Sequence, residues 1–407
     1  MSALTEQNQF IRNRNRVYAA EAGAADFQYS DGDEAEAKLY TILSQAKDLS
    51  SKSYELQSKI DDWPTEYHLS STRANLLRSL DLSNVNRVLE LGCGCGSITR
   101  YLGEHSHIQV DAVEGSASRA ALAALRCRDL DNVTISVANF NDIQFPKNGY
   151  DLVLFVGVTE YAGRFSQRAT DQAALQDLLG LARKAAVDDG VTLIAIENRL
   201  GLKYMLGANE DHYGVRFVGL DNYRESTGIR TYSRSEWLEQ ITQAQFSAHQ
   251  FLYPFPDYKV PTLVVKEGAP SSRVLEGLLP IRSRDYAEHF DLGVSEHRAW
   301  QGLLDAGNFE DHANSFLILL GSNESVLQAL CPNELSQFEM PELGYDLPSA
   351  KAEQRVQDKK IQQHLNAEII QLQSHTSNLE AKVALMSNSI GWRAMNLVRR
   401  IFGKTTI

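Results

Sequence analysis

The sequence predicts a doubly wound α/β fold, an open and largely parallel sheet of seven strands with helices on both faces. Two observations carry this prediction. From Asn86 onward, short apolar β-type runs alternate with helix-length segments, the pattern of successive βαβ units. The first of these runs also ends in a glycine-rich turn that leads directly into a helical pattern. The predicted strands are 87–91, 109–114, 133–137, 150–156 and 191–197, and the helices between them are 97–104, 117–126 and 171–187. Asp188-Asp189-Gly190 reads as a helix stop and turn. A further helix is expected over 233–244, because Ser233 and Glu236 are spaced as a capping box. Strands at 246–253 and 262–266 bring the count to seven, the last one antiparallel.

Regions outside this core read differently. Residues 1–60 form an N-terminal extension, polar to residue 33 and then helical, with Leu39, Ile42, Leu43 and Ala46 at helical spacing. The core domain is expected over 61–268. An accessory α/β extension follows over 269–334, with a strand candidate at 314–320, and 335–350 reads as a linker carrying Pro341 and Pro348. Within 351–388, Leu365, Ile369, Leu372, Thr376, Leu379, Val383 and Met386 recur at alternating spacings of four and three, which predicts a short coiled coil through which copies of the chain would associate. The tail, 389–407, is basic and amphipathic. Ile390, Ala394, Leu397, Val398 and Ile401 share one helical stripe, with Arg393, Arg399, Arg400 and Lys404 available to anionic headgroups, so peripheral membrane contact is expected there.

Composition narrows the function. The chain has 407 residues, 43% hydrophobic and 23% charged, with a formal net charge of -12. That charge opposes a nucleic-acid partner, whose affinity would come from Lys and Arg contacts to phosphates. No run approaches the roughly 20 apolar residues needed to span a bilayer, and the start lacks the apolar core of a secretory signal. The expected location is the cytoplasm, with the tail touching the inner face of the plasma membrane. Of the four cysteines, Cys93 and Cys95 alternate with glycines, and neither Cys127 nor Cys331 forms a second close pair, so reduced structural thiols and no metal site are expected.

The glycine-rich turn is Gly92-Cys93-Gly94-Cys95-Gly96, preceded by Glu90 at the end of the first strand. Such a turn lets main-chain N–H groups approach a ligand. A dinucleotide enzyme would show G-x-G-x-x-G instead. Val88 to Gly96 resembles motif I of class I S-adenosylmethionine-dependent methyltransferases, which have a Rossmann-like sheet. The resemblance implies S-adenosylmethionine as cofactor, with Glu90 holding its methionine part and Gly92, Gly94 and Gly96 giving it room. Glu114, ending the second strand, would accept from both ribose hydroxyls. Asn139 stands where the family usually has an acid that contacts the adenine amino group, and its side-chain oxygen can still accept from that amine while Phe140 packs on the ring. The run Tyr150 to Gly157 is similar to the family's fourth-strand motif.

Ligands of open parallel sheets bind outside the carboxyl ends of the strands, so the acceptor residues are sought after strands four, five and six. Those stretches resemble bacterial methyltransferases encoded with surface-polysaccharide glycosyltransferases, through Glu197–Tyr204 (ENRLGLKY), Glu210–Gly214 (EDHYG) and Tyr253–Pro261 (YPFPDYKVP), with Trp63–Ser70 and Arg73 upstream. The closing GWRAMNLVRR also looks like tails found in that pathway. The resemblance implies methyl transfer to a glycan or sugar precursor, with glycosyltransferases as partners. His212 is the candidate general base, because imidazole is neutral near pH 7 and acidic neighbours can orient it; Glu160 and Asp257 are the alternatives. His68, Asn198, Tyr213 and Tyr258 are candidate substrate contacts. A phosphate acceptor would instead call on Arg199, Lys203 or Lys259. The competing expectations are a cofactor-binding scaffold that recruits glycan-assembly enzymes, and a methyltransferase acting on an unrelated small molecule.

Overall fold

A computed structural model of the chain describes residues 32–339, apart from 141, 165, 167, 169, 225–227 and 287–293, together with isolated positions 4, 11–12, 17–19, 391 and 398. Except for two of those isolated positions, the expected coiled coil and basic tail lie outside the described residues, as do the last residues of the expected linker.

The sheet is larger than the sequence predicts. Its strands are β1 (Ile11–Arg12), β2 (Val17–Ala19), β3 (Arg87–Leu91), β4 (Gln109–Glu114), β5 (Val133–Val137), β6 (Tyr150–Val156), β7 (Ala186–Glu197), β8 (Ala248–Phe255), β9 (Leu263–Lys266), β10 (Ser315–Gly321) and β11 (Leu335–Gln337). Their order is β1-β2-β5-β4-β3-β6-β7-β10-β8-β9-β11. From β2 to β7 all neighbours are parallel. Seven strands were expected, and eleven are described. β1, β2 and β11 hold two or three residues each, too few to show a period. β11 also puts the first residues of the expected linker into the sheet, where they pair with β9.

The main correction concerns β10. It lies antiparallel between β7 and β8, with Ser315 opposite Glu197 and Leu317 opposite Leu252, so the strand candidate at 314–320, expected outside the seven, stands inside the sheet. Every residue of β10 is buried, which is why it reads SFLILLG without alternation, as a strand covered on both faces does. The segment after 268 therefore supplies a central strand of the same compact unit, and it is not an accessory extension.

Local signals account for most other boundaries. Helix Arg234–Gln243 begins at the expected capping box, with the Ser233 side chain accepting from the Glu236 main chain and Glu236 reaching back. Asp188-Asp189-Gly190 does not stop a helix. Helix Asp171–Ala185 ends earlier, β7 begins at Ala186, and a register shift between Tyr150 and Leu152 absorbs the extra residues. On one sheet face Leu89, Leu91, Val153 and Phe155 pack against Leu175 and Leu179 of that helix; on the other, Val88, Leu152 and Leu154 pack with Ile98 and Ala123. The N-terminal helix Asp33–Gln45 buries Leu39 and Leu43 with Leu56, Leu69 and Leu122. Arg128 donates to the carbonyls of Leu43 and Ala46 at 2.8 and 2.6 Å, closing the end of that helix. This brace roofs the turn after β3. All four cysteines are free and buried.

Candidate functional site

The turns leaving β3, β4, β5 and β6 surround one pocket, lined by Glu90, Gly92, Gly94, Glu114, Asn139, Phe140 and His68 among others. Six of the seven expected cofactor residues and one expected substrate contact are thus brought together. Gly96 is the exception. It adopts a left-handed φ of +80°, and a Cβ there would lie 2.8 Å from the main chain of Ala123, so its role is to let the helices Ser97–Gly103 and Ala117–Arg126 approach. Gly94, at φ +55°, lines the pocket itself, and a Cβ there would sit 3.0 Å from the Arg119 guanidinium.

Glu114 is tied to this turn. Its two oxygens accept main-chain N–H bonds from Gly94 at 2.8 Å and Ser116 at 2.9 Å, each keeping a second lone pair for a ligand hydroxyl. Glu90 is almost fully buried, and the Thr99 hydroxyl donates to it at 2.6 Å. Burial pushes its carboxyl up to about 8, against the opposing effect of the Thr99 bond and the Arg73 charge. It is a site that gains from an arriving cation. Arg73, Tyr67 and Arg119 also line the pocket; sequence reading assigned no cofactor role to them, since no local pattern marks them.

Beyond the pocket stands a second, more polar assembly. Tyr161 lines the pocket and meets the His212 ring edge-on at 5.5 Å between centroids. Gly157 also lines it and faces the Tyr258 hydroxyl. Behind them, ligand atoms of Glu160, Glu197 and His212 all lie within 4.8 Å of one another. His212 Nδ1 is 2.9 Å from Glu210 Oε1, and Nε2 is 3.6 Å from Glu160 Oε1. Lys259 pairs with Glu197 and Asp211, and Lys203, completely buried, with Asp211 at 3.1 Å.

The comparisons with known proteins bear on the first of these regions. Residues 88–177 match a family model described as a methyltransferase domain. The chain carries a methyltransferase domain. The matched stretch includes Glu90, Gly92, Gly94, Glu114, Asn139 and Phe140 of the pocket, and its cofactor is S-adenosylmethionine. Over 105 residues the chain is 30% identical to cyclopropane-fatty-acyl-phospholipid synthase of Escherichia coli strain K12, a match covering 25% of this chain and 26% of that protein. The chain thus spans about a quarter of the length of the curated relatives it matches. Among solved structures, Haemonchus contortus phosphoethanolamine N-methyltransferase 2 in complex with S-adenosyl-L-methionine is similar at a TM-score of 0.35 and 18% identity, over 58% of this chain and 48% of that one. A SAM-dependent methyltransferase from Archaeoglobus fulgidus gives 0.36 and 16%, over 63% and 96%.

On the acceptor side of the methyltransferase domain, several expected roles need correction. Burial disfavours the charge of His212, but Glu197, Glu160 and Glu210 outweigh burial and raise its proton affinity well above its ordinary value. Asp257 is fully buried and does not line the pocket: its oxygens accept from the Lys259 N–H at 2.9 Å and the Tyr286 hydroxyl at 2.7 Å, which ties the loop after β8 to Tyr286. Asn198 is buried too, its amide donating to the carbonyls of Asp311 and Ala313, both at 2.8 Å. It fastens the end of β7 and does not reach a substrate. Tyr213 spends its hydroxyl on the Ile229 carbonyl at 2.9 Å. The three cations considered for a phosphate are each neutralised, Arg199 by Glu236 and the two lysines as above. Tyr286 and Arg284, which grips Glu66 through two bonds of 2.7 Å, had no sequence signal.

Proposed function

We propose that the protein transfers a methyl group from S-adenosylmethionine to a hydroxyl of a bacterial surface glycan or of its sugar precursor. The observation that supports a polyhydroxyl acceptor is the buried polar cluster behind Tyr161, where the loops after β6, β7 and β8 bring together carboxylates, lysines and an imidazole. The cofactor residues fit the group: Gly92 and Gly94 lack the Cβ that would fill the cradle, and the buried Glu90 makes no ion pair among the described residues, its short bond coming from the Thr99 hydroxyl.

S-adenosylmethionine supplies the methyl group on a sulfonium, already a strong electrophile. What remains for the protein is alignment and exclusion of water. Glu90 would hold the amino group of the methionine part, Glu114 the ribose hydroxyls, and Asn139 and Phe140 the adenine. Tyr161, on the boundary, would separate the pocket from the cluster while the acceptor oxygen approaches. The acceptor proton would pass to the carboxylate group around His212, where burial raises the proton affinity of Glu197.

The printed name of the Escherichia coli relative suggests a second acceptor class, a fatty acyl chain. The charged cluster favours the sugar. A scaffold that binds the cofactor without turnover would leave the host glycan unchanged. Mass spectrometry of the host's surface glycan with and without this gene tests the reading, and a methyl ether present only with the gene is the expected result. Identical glycans, together with label from methyl-labelled cofactor entering lipid, would replace the sugar with the acyl acceptor.

A further inference from the structure

We propose that Glu160, Glu197 and His212 form a binding site for one divalent transition-metal cation, with Glu210 holding the imidazole in the ligating orientation. The three come from different places in the chain, Glu160 after β6, Glu197 at the end of β7 and His212 in the following loop, yet their ligand atoms lie within 4.8 Å of one another.

Four observations point to a cation. First, Glu160 Oε2 and Glu197 Oε2 are buried and have no hydrogen-bond partner among the described residues, although the two side chains are 1% and 0% exposed. A buried carboxylate oxygen left unpaired is costly, and a partner is expected there. Second, the imidazole is oriented for ligation. Glu210 Oε2 accepts the main-chain N–H groups of His212 and Tyr213 at 2.8 and 3.0 Å, which fixes the carboxylate beside the ring. His212 Nδ1, 2.9 Å from Glu210 Oε1, is placed to donate to that carboxylate. Nε2 is turned towards the other two acids, the carboxylate-to-histidine-to-metal arrangement found where imidazole binds metals.

Third, the distance from Nε2 to Glu160 Oε1, 3.6 Å, is too long for a hydrogen bond. It is compatible with a shared ion between the two atoms. A proton on Nε2 would reach at most one acid and leave both Oε2 atoms unpaired. Fourth, charge is unbalanced. Among the described residues, Glu160, Glu197, Glu210, Asp211 and Asp257 form ion pairs with Lys203, Lys259 and the His212 ring, and Arg284 stands near Asp257. Lys259 engages Glu197 through Oε1, which leaves the Oε2 atom free for a ligand.

Two carboxylates and one imidazole suit Zn²⁺, Mn²⁺, Fe²⁺ or Co²⁺ better than Mg²⁺ or Ca²⁺, which favour all-oxygen sets. Three protein ligands leave coordination positions open. A bound cation would polarise an acceptor hydroxyl and lower its proton affinity; this role, unlike the site itself, rests on the methyl-transfer reading above.

The test uses the full chain, stripped with a chelator and then titrated with Mn²⁺, followed by the electron paramagnetic resonance of free ion, and with Zn²⁺ by calorimetry. One cation per chain is expected. Glu160→Gln and His212→Ala should each weaken binding at least tenfold, and Glu210→Gln by roughly 10- to 100-fold, with the thermal transition retained. X-ray absorption at the zinc edge of the unmutated protein covers the case in which variants fail to fold: nitrogen and oxygen neighbours support the site, and sulfur neighbours would overturn it by moving the ion to the cysteines. No stoichiometric binding, or unchanged binding in both variants, would also overturn it. S-adenosylmethionine binding measured in parallel separates the outcomes, since its loss would strike the methyl-transfer reading and leave the metal site standing.

Discussion

The main-chain N–H of Gly94 donates to Glu114 Oε2 at 2.8 Å, so the glycine turn after β3 and the acid that ends β4 hold each other in place. Neither can be altered without disturbing the other. Gly94→Val places a branched side chain at a left-handed φ of +55°, against the Arg119 guanidinium and inside the pocket. Such strain costs about 1–3 kcal/mol, which a large sheet can tolerate. The expected outcome is at least a hundredfold loss of S-adenosylmethionine affinity by calorimetry, with an unchanged circular dichroism spectrum. Undiminished affinity would place the cofactor elsewhere.

Glu90 links cofactor binding to pH. Its carboxyl is pushed up to about 8 by burial, from an ordinary 4.5. Between those values the unfolded chain has released a proton that the native protein keeps, so in the absence of cofactor this group's contribution to stability falls as pH rises from 4.5 towards 8, by at most about 1.4 kcal/mol per unit. Denaturant titrations at pH 5 and pH 8 should show a shallower decline for Glu90→Gln than for the parent. An arriving cationic ligand reverses the burial effect. Calorimetry at pH 7 in buffers of different ionisation enthalpy should therefore report proton release on binding S-adenosylmethionine, absent in Glu90→Gln. Equal heats in all buffers would remove Glu90 from the cofactor contact.

Asn314, just before β10, is fully buried. Its amide donates to Pro256 at 3.0 Å and Ser283 at 2.7 Å, and its carbonyl accepts the Lys203 N–H at 3.0 Å. One side chain thus clamps three loops of the cluster. Asn314→Ala should cost about 2–4 kcal/mol of stability by denaturant titration, the sum expected for buried groups left unpaired, and truncation after Gly268 should yield no cooperative transition, because β7 and β8 then lose the strand between them. A folded 61–268 fragment would contradict the topology.

His212 lies outside the cofactor pocket, which separates two readouts. His212→Gln should lower methyl transfer by at least roughly 10²-fold, with S-adenosylmethionine affinity within about threefold of the parent. A parallel loss of affinity would mean that the cluster and the pocket are one site.

What the sequence by itself determined was local in origin. The five parallel strands, the turn at Gly92–Gly96, the acids Glu90 and Glu114 and the capping box at Ser233 are legible because each is set by contacts within a few residues or by burial on both faces of a strand. Tertiary structure decided the rest. Nothing near Ser315 tells that its strand enters between β7 and β8, since a continuous apolar run is buried equally well at several places in a sheet. Gly96 reads like a cofactor glycine until Ala123 is found against it. His212 reads as a neutral base until Glu160 and Glu197, 52 and 15 residues earlier in the chain, are brought to its ring, because proton affinity depends on charges assembled in space and burial that no local pattern records. The same assembly of distant carboxylates around one imidazole makes the cluster a candidate for a cation.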